Sequence, residues 1–345
     1  MNSIDGSQHS GSGTIVRFAV AMAALSQSPV RIENIRAKRP TPGLRPQHVS
    51  AVRATAQLCN AKTDGLRVGS HELTFAPSGA IRGGEFYWDI GTAGSTTMLA
   101  LSILPLSCFA AGPIRARITG GVFQDFAPSP HHMQNVLLPL LSRMGADAQL
   151  KLLRAGYVPK GSGQIELLVK PVSSRLHSLH VIEPGLVTEV AGVAFSSHLA
   201  EQRVSERMAS SCEKILNAAG ISAKIACVDD GLALQPGASL AIWAESSTGC
   251  LLGGDRAGAR RRRSETIGHT VARRFLEDLR SGATVDRYLA DQLIFFGAPA
   301  EGTTDYIVPA LTDHVVTNLW LAEQFGARVE REGLRVRIEG LGLQI

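Results

Sequence analysis

Apolar residues recur at helical spacing over residues 12–26, 47–60, 91–109 and 130–144, and short runs with the character of strands lie between these blocks. The strand-like runs are residues 29–35 after the first block, 65–68 and 72–75 after the second, 113–119 after the third, and 148–153 and 165–169 after the fourth. The plan therefore occurs twice in succession, and it returns at the C-terminus. There residues 285–296 form a helix, 306–308 a strand, 311–325 a second helix, and 328–331 and 335–338 the closing strands. Each second helix stops at a small step, Asn60-Ala61, Gly145-Ala146 or Gly326-Ala327, as a left-handed C-terminal cap requires. The pattern predicts three repeated β-α-β-α-β-β units.

Residues 175–272 break that register. They contain a helix, residues 198–219, in which Val204, Met208, Cys212 and Leu216 share one face, and strands near 223–228 and 240–244. The fold class is α/β (α+β), with a large domain of three repeats over residues 1–174 and 273–345 and a small inserted α/β domain over residues 175–272.

The chain has 345 residues, more than one ordinary core organises. A composition of 44% hydrophobic and 19% charged residues excludes a disordered chain. The longest apolar run, residues 98–111, falls short of the roughly 18 residues of a membrane span and carries Ser102, Pro105 and Ser107. No basic flank and apolar core mark a signal peptide, and the cysteines 59, 108, 212, 227 and 250 are scattered and odd in number, which points to thiols in the cytoplasm. Neither CxxC nor HExxH spacing occurs, so no dedicated zinc site is expected. The net charge of +5 suits a polyanionic partner without requiring one.

Candidate chemistry collects at helix starts. His314 falls in the first turn of the last helix, behind Thr312 or Asp313 as N-cap, where the helix dipole favours a neutral imidazole and attracts anions. The Gly-rich loops at residues 5–14 and 90–96 open helices and match neither GxGxxG nor a Walker loop; both suit either phosphate binding or close packing. Arg36, Lys38, Arg39, Arg45, Gln47 and His48 crowd one strand–loop–helix junction fit for an oligoanion. Asp291 and Gln292 are paired polar groups in an apolar stretch. Arg260, Arg261, Arg262 and Arg263 form either a solvated loop or a contact for a phosphate backbone or an acidic partner.

Taken in order, Asp5-Gly6, Gly11, Gly13, Arg17, Ile35-Arg-Ala-x-Arg39, Pro42-Gly-Leu44, Gln47-His48, Gly91-x-Ala-Gly-Ser95, Gly120-Gly121, Ala127-Pro128, Tyr288-Leu-Ala-Asp-Gln292 and His314-x-x-Thr-Asn318 resemble the RNA 3′-terminal phosphate cyclase family over nearly the whole chain. The resemblance implies three repeated units with an inserted domain, and an ATP-dependent reaction assisted by Mg²⁺ or Mn²⁺. In it His314 takes AMP, passes it to an RNA 3′-phosphate end, and the vicinal O2′ displaces it to leave a 2′,3′-cyclic phosphate. It further implies that Tyr288, Leu289, Ala290, Asp291 and Gln292 hold the nucleotide, with Leu101 at a position where the family has glutamine. Arg17, Arg36, Arg39 and Gln47 then bind substrate phosphate. This chain has Ser10 where the family has a metal-binding glutamate, Thr14 where it has glutamine, and His131 where it has an acid, so the metal ligands are left unassigned. Two alternatives stand beside this reading: a non-enzymatic or diverged cyclase-like RNA-binding protein, and a transferase of the enolpyruvyl type.

Overall fold

The computed structural model describes residues 1–344. The chain runs through β1 (Asn2–Asp5), α1 (Gly13–Leu25), β2 (Val30–Glu33), α2 (Pro46–Cys59), β3 (Lys62–Asp64) and β4 (Leu73–Ala76), whose strands pair in the order β1-β2-β4-β3. It continues through β5 (Gly84–Asp89), α3 (Thr96–Cys108), β6 (Ile114–Gly120), α4 (Pro130–His132), a π turn (Met133–Leu137), α5 (Leu138–Arg143), β7 (Asp147–Arg154) and β8 (Gly163–Lys170), paired as β5-β6-β8-β7. After β9 (His180–Val181) come β10 (Glu189–Ser197), a 3₁₀ turn (Ala200–Gln202), α6 (Val204–Ala218), β11 (Ser222–Asp230), β12 (Gly237–Glu245), β13 (Leu251–Ala257) and α7 (Ser264–Arg280). Their sheet has the order β11-β10-β12-β13. The chain closes with α8 (Leu289–Gln292), α9 (Ile294–Gly297), β14 (Thr303–Ile307), α10 (Asp313–Gln324), β15 (Arg328–Glu332) and β16 (Arg335–Glu339), and β9 completes their sheet in the order β15-β16-β14-β9.

In the sheets of β1–β4 and β5–β8 and in the one that β9 joins, the first two strands in sequence are parallel and the remaining pairings are antiparallel. Helix α1 lies at the centre, touching α2, α3 and α10, and every residue from Gly13 to Ala24 is buried. That explains its composition, since a helix apolar all round must be covered all round. Phe18 on α1 is fully buried and meets Phe295 edge-on at 4.6 Å, a contact whose area burial is worth about 2–3 kcal/mol. The apolar run of α3 is likewise covered by protein, and no helix among the described residues is long and apolar enough to cross a membrane.

Several local expectations are corrected. Residues 65–68 are a turn, because Gly65 takes φ of 76° and its N–H is held by the Asp64 carboxylate; the ladder is made instead by polar β3. The helix expected over residues 285–296 is two short pieces, since Asp286 accepts from the backbone of Tyr288 and Leu289 and starts a helix there. Helix α6 begins at Val204 and not at His198, behind Arg203 in left-handed backbone with φ of 51°.

Candidate active site

The first turns of three helices converge on one cavity of about 270 Å³. Thr14 and Arg17 come from α1, Met98 and Leu101 from α3, and Thr312 and His314 from the start of α10, with Tyr288, Asp291 and Gln292 along α8. Larger hollows exist elsewhere on the surface. This is the one that collects buried polar groups without partners: Arg17 Nε and Gln292 Oε1 both lack a hydrogen bond.

Local chemistry sets each element. Ser12 caps α1, and Thr312 caps α10 by accepting from Val315 N at 3.2 Å. Gly13 admits the His48 ring, whose Nε2 would lie 2.0 Å from any Cβ there, and His48 Nδ1 accepts from Arg45 N at 3.1 Å to cap α2. Burial, followed by the charges of Arg17, Arg36 and Arg45, holds His48 well below its ordinary pKa, so this histidine is a neutral spacer. The 5–12 loop is fastened to α10: Ser10 N donates to Thr317 Oγ1 at 3.2 Å, and Thr14 Oγ1 donates to Asn318 Oδ1 at 3.0 Å. Asn318 in turn donates to the Asp291 carbonyl at 3.1 Å, and Tyr306 to that of Ala290 at 3.0 Å. The start of α8 is fixed by Asp286, whose carboxylate also meets His132 Nε2 at 2.9 Å and accepts from Gly253 N at 2.8 Å.

The electrostatics combine a buried cation with a neutral imidazole. Arg17 is 8% exposed and forms no ion pair among the described residues, although burial pulls its pKa down only to about 10 and it stays charged at neutral pH. A buried guanidinium without a partner carries a desolvation cost that an anionic ligand would offset. His314 is half-exposed, and partial burial together with the Arg17 and Arg39 charges lowers its pKa, keeping it neutral at neutral pH. Its Nδ1 lies 3.7 Å from Asp291 Oδ2, and the other ring nitrogen is left for chemistry.

Asp291 is pushed up to about 7, chiefly by burial, with the Arg17 charge opposing. A raised carboxyl pKa means that the ionised form is disfavoured on folding, so the cost grows as pH rises from the unfolded value of 3.8 to about 7 and is constant above that. Asp291→Asn is therefore expected to stabilise the ligand-free protein by on the order of 2 kcal/mol at pH 8, after allowing for partial exposure, and by nothing below pH 4. Melting temperatures of the two proteins across that range test it; a constant difference at all pH values would remove the burial argument.

The other residues singled out in the sequence are distributed as follows. Leu289 and Ala290 are fully buried and do not line the cavity. Arg36 sits in left-handed backbone with φ of 55°, and its Nη1 donates to the carbonyls of Thr41 at 2.6 Å and Gly43 at 3.0 Å, so it braces its own loop while its charge reaches Arg17 and His48. Arg39 is half-buried and close enough to depress His314. Gln47 Cβ lies 3.0 Å from where a Cβ on Gly94 would stand, so the 90–96 loop packs closely against α2. His131 is half-buried, with its Nε2 atom buried and without a hydrogen bond among the described residues, and its ring stacks 5.9 Å from Phe123. Within the arginine run, Arg262 turns inward and grips Asp125 with two bonds, at 3.0 and 2.7 Å. Sequence reasoning missed Met98, Phe126 and Arg287 in the lining; Arg287 is committed to the buried Asp278. No three His, Cys, Asp or Glu side chains converge on a metal site among the described residues.

Fold and site together define an α/β protein with a cavity lined by a buried arginine and a neutral histidine. The family model described as RNA 3′-terminal phosphate cyclase matches residues 8–330. Proteins named RNA 3′-terminal phosphate cyclase from Pyrococcus furiosus and Ignicoccus hospitalis are 39% and 38% identical to this chain, covering 94% and 96% of it and 93% and 94% of the relatives. The chain belongs to the RNA 3′-terminal phosphate cyclase family. A solved structure, the enolpyruvyl transferase NikO from Streptomyces tendae, overlaps 99% of this chain and 49% of its own with a TM-score of 0.40 and 15% identity, too little to carry an argument.

Proposed function

We propose that this protein converts an RNA 3′-terminal phosphate to a 2′,3′-cyclic phosphate at the expense of ATP, with His314 as the covalent nucleophile. The observation that carries this reading is the buried, unpaired Arg17 facing the same cavity as a neutral imidazole. One group calls for a phosphate and the other can attack one. The ring nitrogen turned away from Asp291 forms a bond to the α-phosphorus of ATP, and pyrophosphate leaves. As the ring gains positive charge, the Asp291 carboxylate offsets it. An oxygen of the RNA 3′-phosphate then takes AMP from His314, and O2′ attacks the activated phosphorus, losing its proton and expelling AMP.

Tyr288, Asp291 and Gln292 would hold the nucleotide along α8, with the orphaned Gln292 Oε1 available to a base amino group and Leu101, Met98 and Phe126 as an apolar wall. Arg39 and Gln47 would attend the RNA end. A divalent ion, Mg²⁺ or Mn²⁺, would enter on the ATP phosphates. The residues present do not by themselves make a site for it: Ser10 offers a hydroxyl already engaged with Ser12 and Thr317, and Asp291 is a lone carboxylate. No step is assigned to a protein-held metal.

The recurring strand order supports reading the sheets of β1–β4, β5–β8 and β9 with β14–β16 as copies of one β-α-β-α-β-β unit. The sheet of β10–β13 would then be the insertion. Pairing of β9 with β14 favours its start after residue 181, and packing of α7 on α6 favours its end near residue 280, six and eight residues from the 175 and 272 read from the break in register.

The test is mass spectrometry after incubation with ATP and Mg²⁺ or Mn²⁺. The expected protein gains one AMP, stable to base and lost in acid, as a phosphoramidate is. A chain that never gains AMP with either metal, yet binds 3′-phosphorylated RNA, would be the non-enzymatic RNA-binding relative instead.

A further inference from the structure

A second hollow, of about 480 Å³, lies on the other side of the α10 start from the Arg17 cavity. Leu311 lines this one while Thr312 and His314 line the other, so the two share the stretch 311–314 as a wall. Its floor is the half-buried indole of Trp320, on the helix that carries His314, with Leu319 beside it. His9 packs against that indole with ring centroids 5.1 Å apart and planes tilted by 54°. His9 is itself exposed and held in left-handed backbone with φ of 45°, one residue before the Ser10 that is tied to α10. Such backbone is uncommon outside glycine and persists where surrounding structure imposes it. The charged rim is split, with Arg331 on β15 opposed by Glu323 on α10.

We propose that this hollow receives the nucleobase that precedes the terminal nucleotide of a single-stranded RNA 3′ end. The inference rests on the cyclase reading and extends it to the path of the RNA. An unpaired base needs an aromatic face and a neighbouring cation for its phosphodiester, and reading by stacking is how single strands are held without sequence preference. Trp320 and His9 supply the face, and Arg331 the cation. Glu323 repels a phosphate, so the base enters and the backbone passes on the Arg331 side. A terminal phosphate placed at His314 leaves the preceding nucleotide at the shared wall formed by Leu311.

The experiment compares a 3′-phosphorylated oligonucleotide with a nucleoside 3′-phosphate that has no preceding base. In Trp320→Ala the ratio of their kcat/KM values should fall by about tenfold, through KM for the oligonucleotide, and Trp320→Phe should restore most of it. Independently of turnover, the oligonucleotide should quench tryptophan emission of the wild type and lose that component in Trp320→Phe. An unchanged ratio, with equal quenching in both proteins, overturns the subsite and leaves the cyclase reading intact. Quenching at Trp320 without any cyclisation overturns the cyclase reading and supports the subsite.

Discussion

His314→Ala should take no AMP from ATP, and its formation of cyclic ends should fall by at least about a thousandfold, because no other group can form the covalent bond that divides the reaction into two easier displacements. The side chain is half-exposed, so its loss leaves no buried cavity and the protein should fold as before. Quantifying labelled AMP retained on the protein, alongside its thermal melt, separates chemistry from folding. A variant that still acquires acid-labile AMP would place the nucleophile elsewhere.

Arg17→Met should give the second-largest loss and an opposite effect on stability. The apolar stem is kept and a buried charge with no partner is removed, so the ligand-free protein should melt no lower than the wild type. Adenylylation should drop by roughly a hundredfold to a thousandfold, the usual consequence of losing one preorganised charge at a reacting phosphate. The pH profile gives a second readout. Arg17 depresses the His314 pKa, and only neutral imidazole attacks; without that charge the pKa rises toward its ordinary value, and the acid limb of the rate profile should move to higher pH. Lower stability with an unmoved acid limb would make Arg17 a packing residue.

The position of His314 and the longer helices of the repeats, α1, α2, α3 and α10, were legible because their signals are local. Thr312, Asp313 and the apolar spacing behind them define α10 without reference to any other part of the chain, whereas Arg17 came to notice only through the family resemblance. The strands β10 and β13 were not legible: Leu251-Leu-Gly-Gly-Asp255 is buried on both faces and shows no alternation, and in Glu189-Val-Ala-Gly-Val-Ala-Phe195 the outward positions Ala191 and Val193 are themselves apolar, so burial alternates without polarity alternating. Nor was the burden on Arg36, which depends on a left-handed residue and on two carbonyls five and seven positions away. Pairings across the whole chain, such as Thr14 with Asn318, leave no trace in spacing at all, and it is these that decide which side of α10 faces the cavity.

The carboxylate of Asp286 ties three separate stretches together, the start of α8, His132 of α4 and Gly253 of β13, while Asp255 on the same strand accepts from Ser129 N at 2.5 Å. Consequently the sheet of β10–β13 cannot be exchanged among homologues as a free cassette. A chimera that replaced Asp286 would orphan the fully buried His132 imidazole and the Gly253 N–H at once, and the helix bearing Tyr288 and Asp291 would lose the group that starts it, whereas one that imported a β13 without Asp255 would orphan Ser129 N. Inheritance should therefore treat these three distant stretches as one unit.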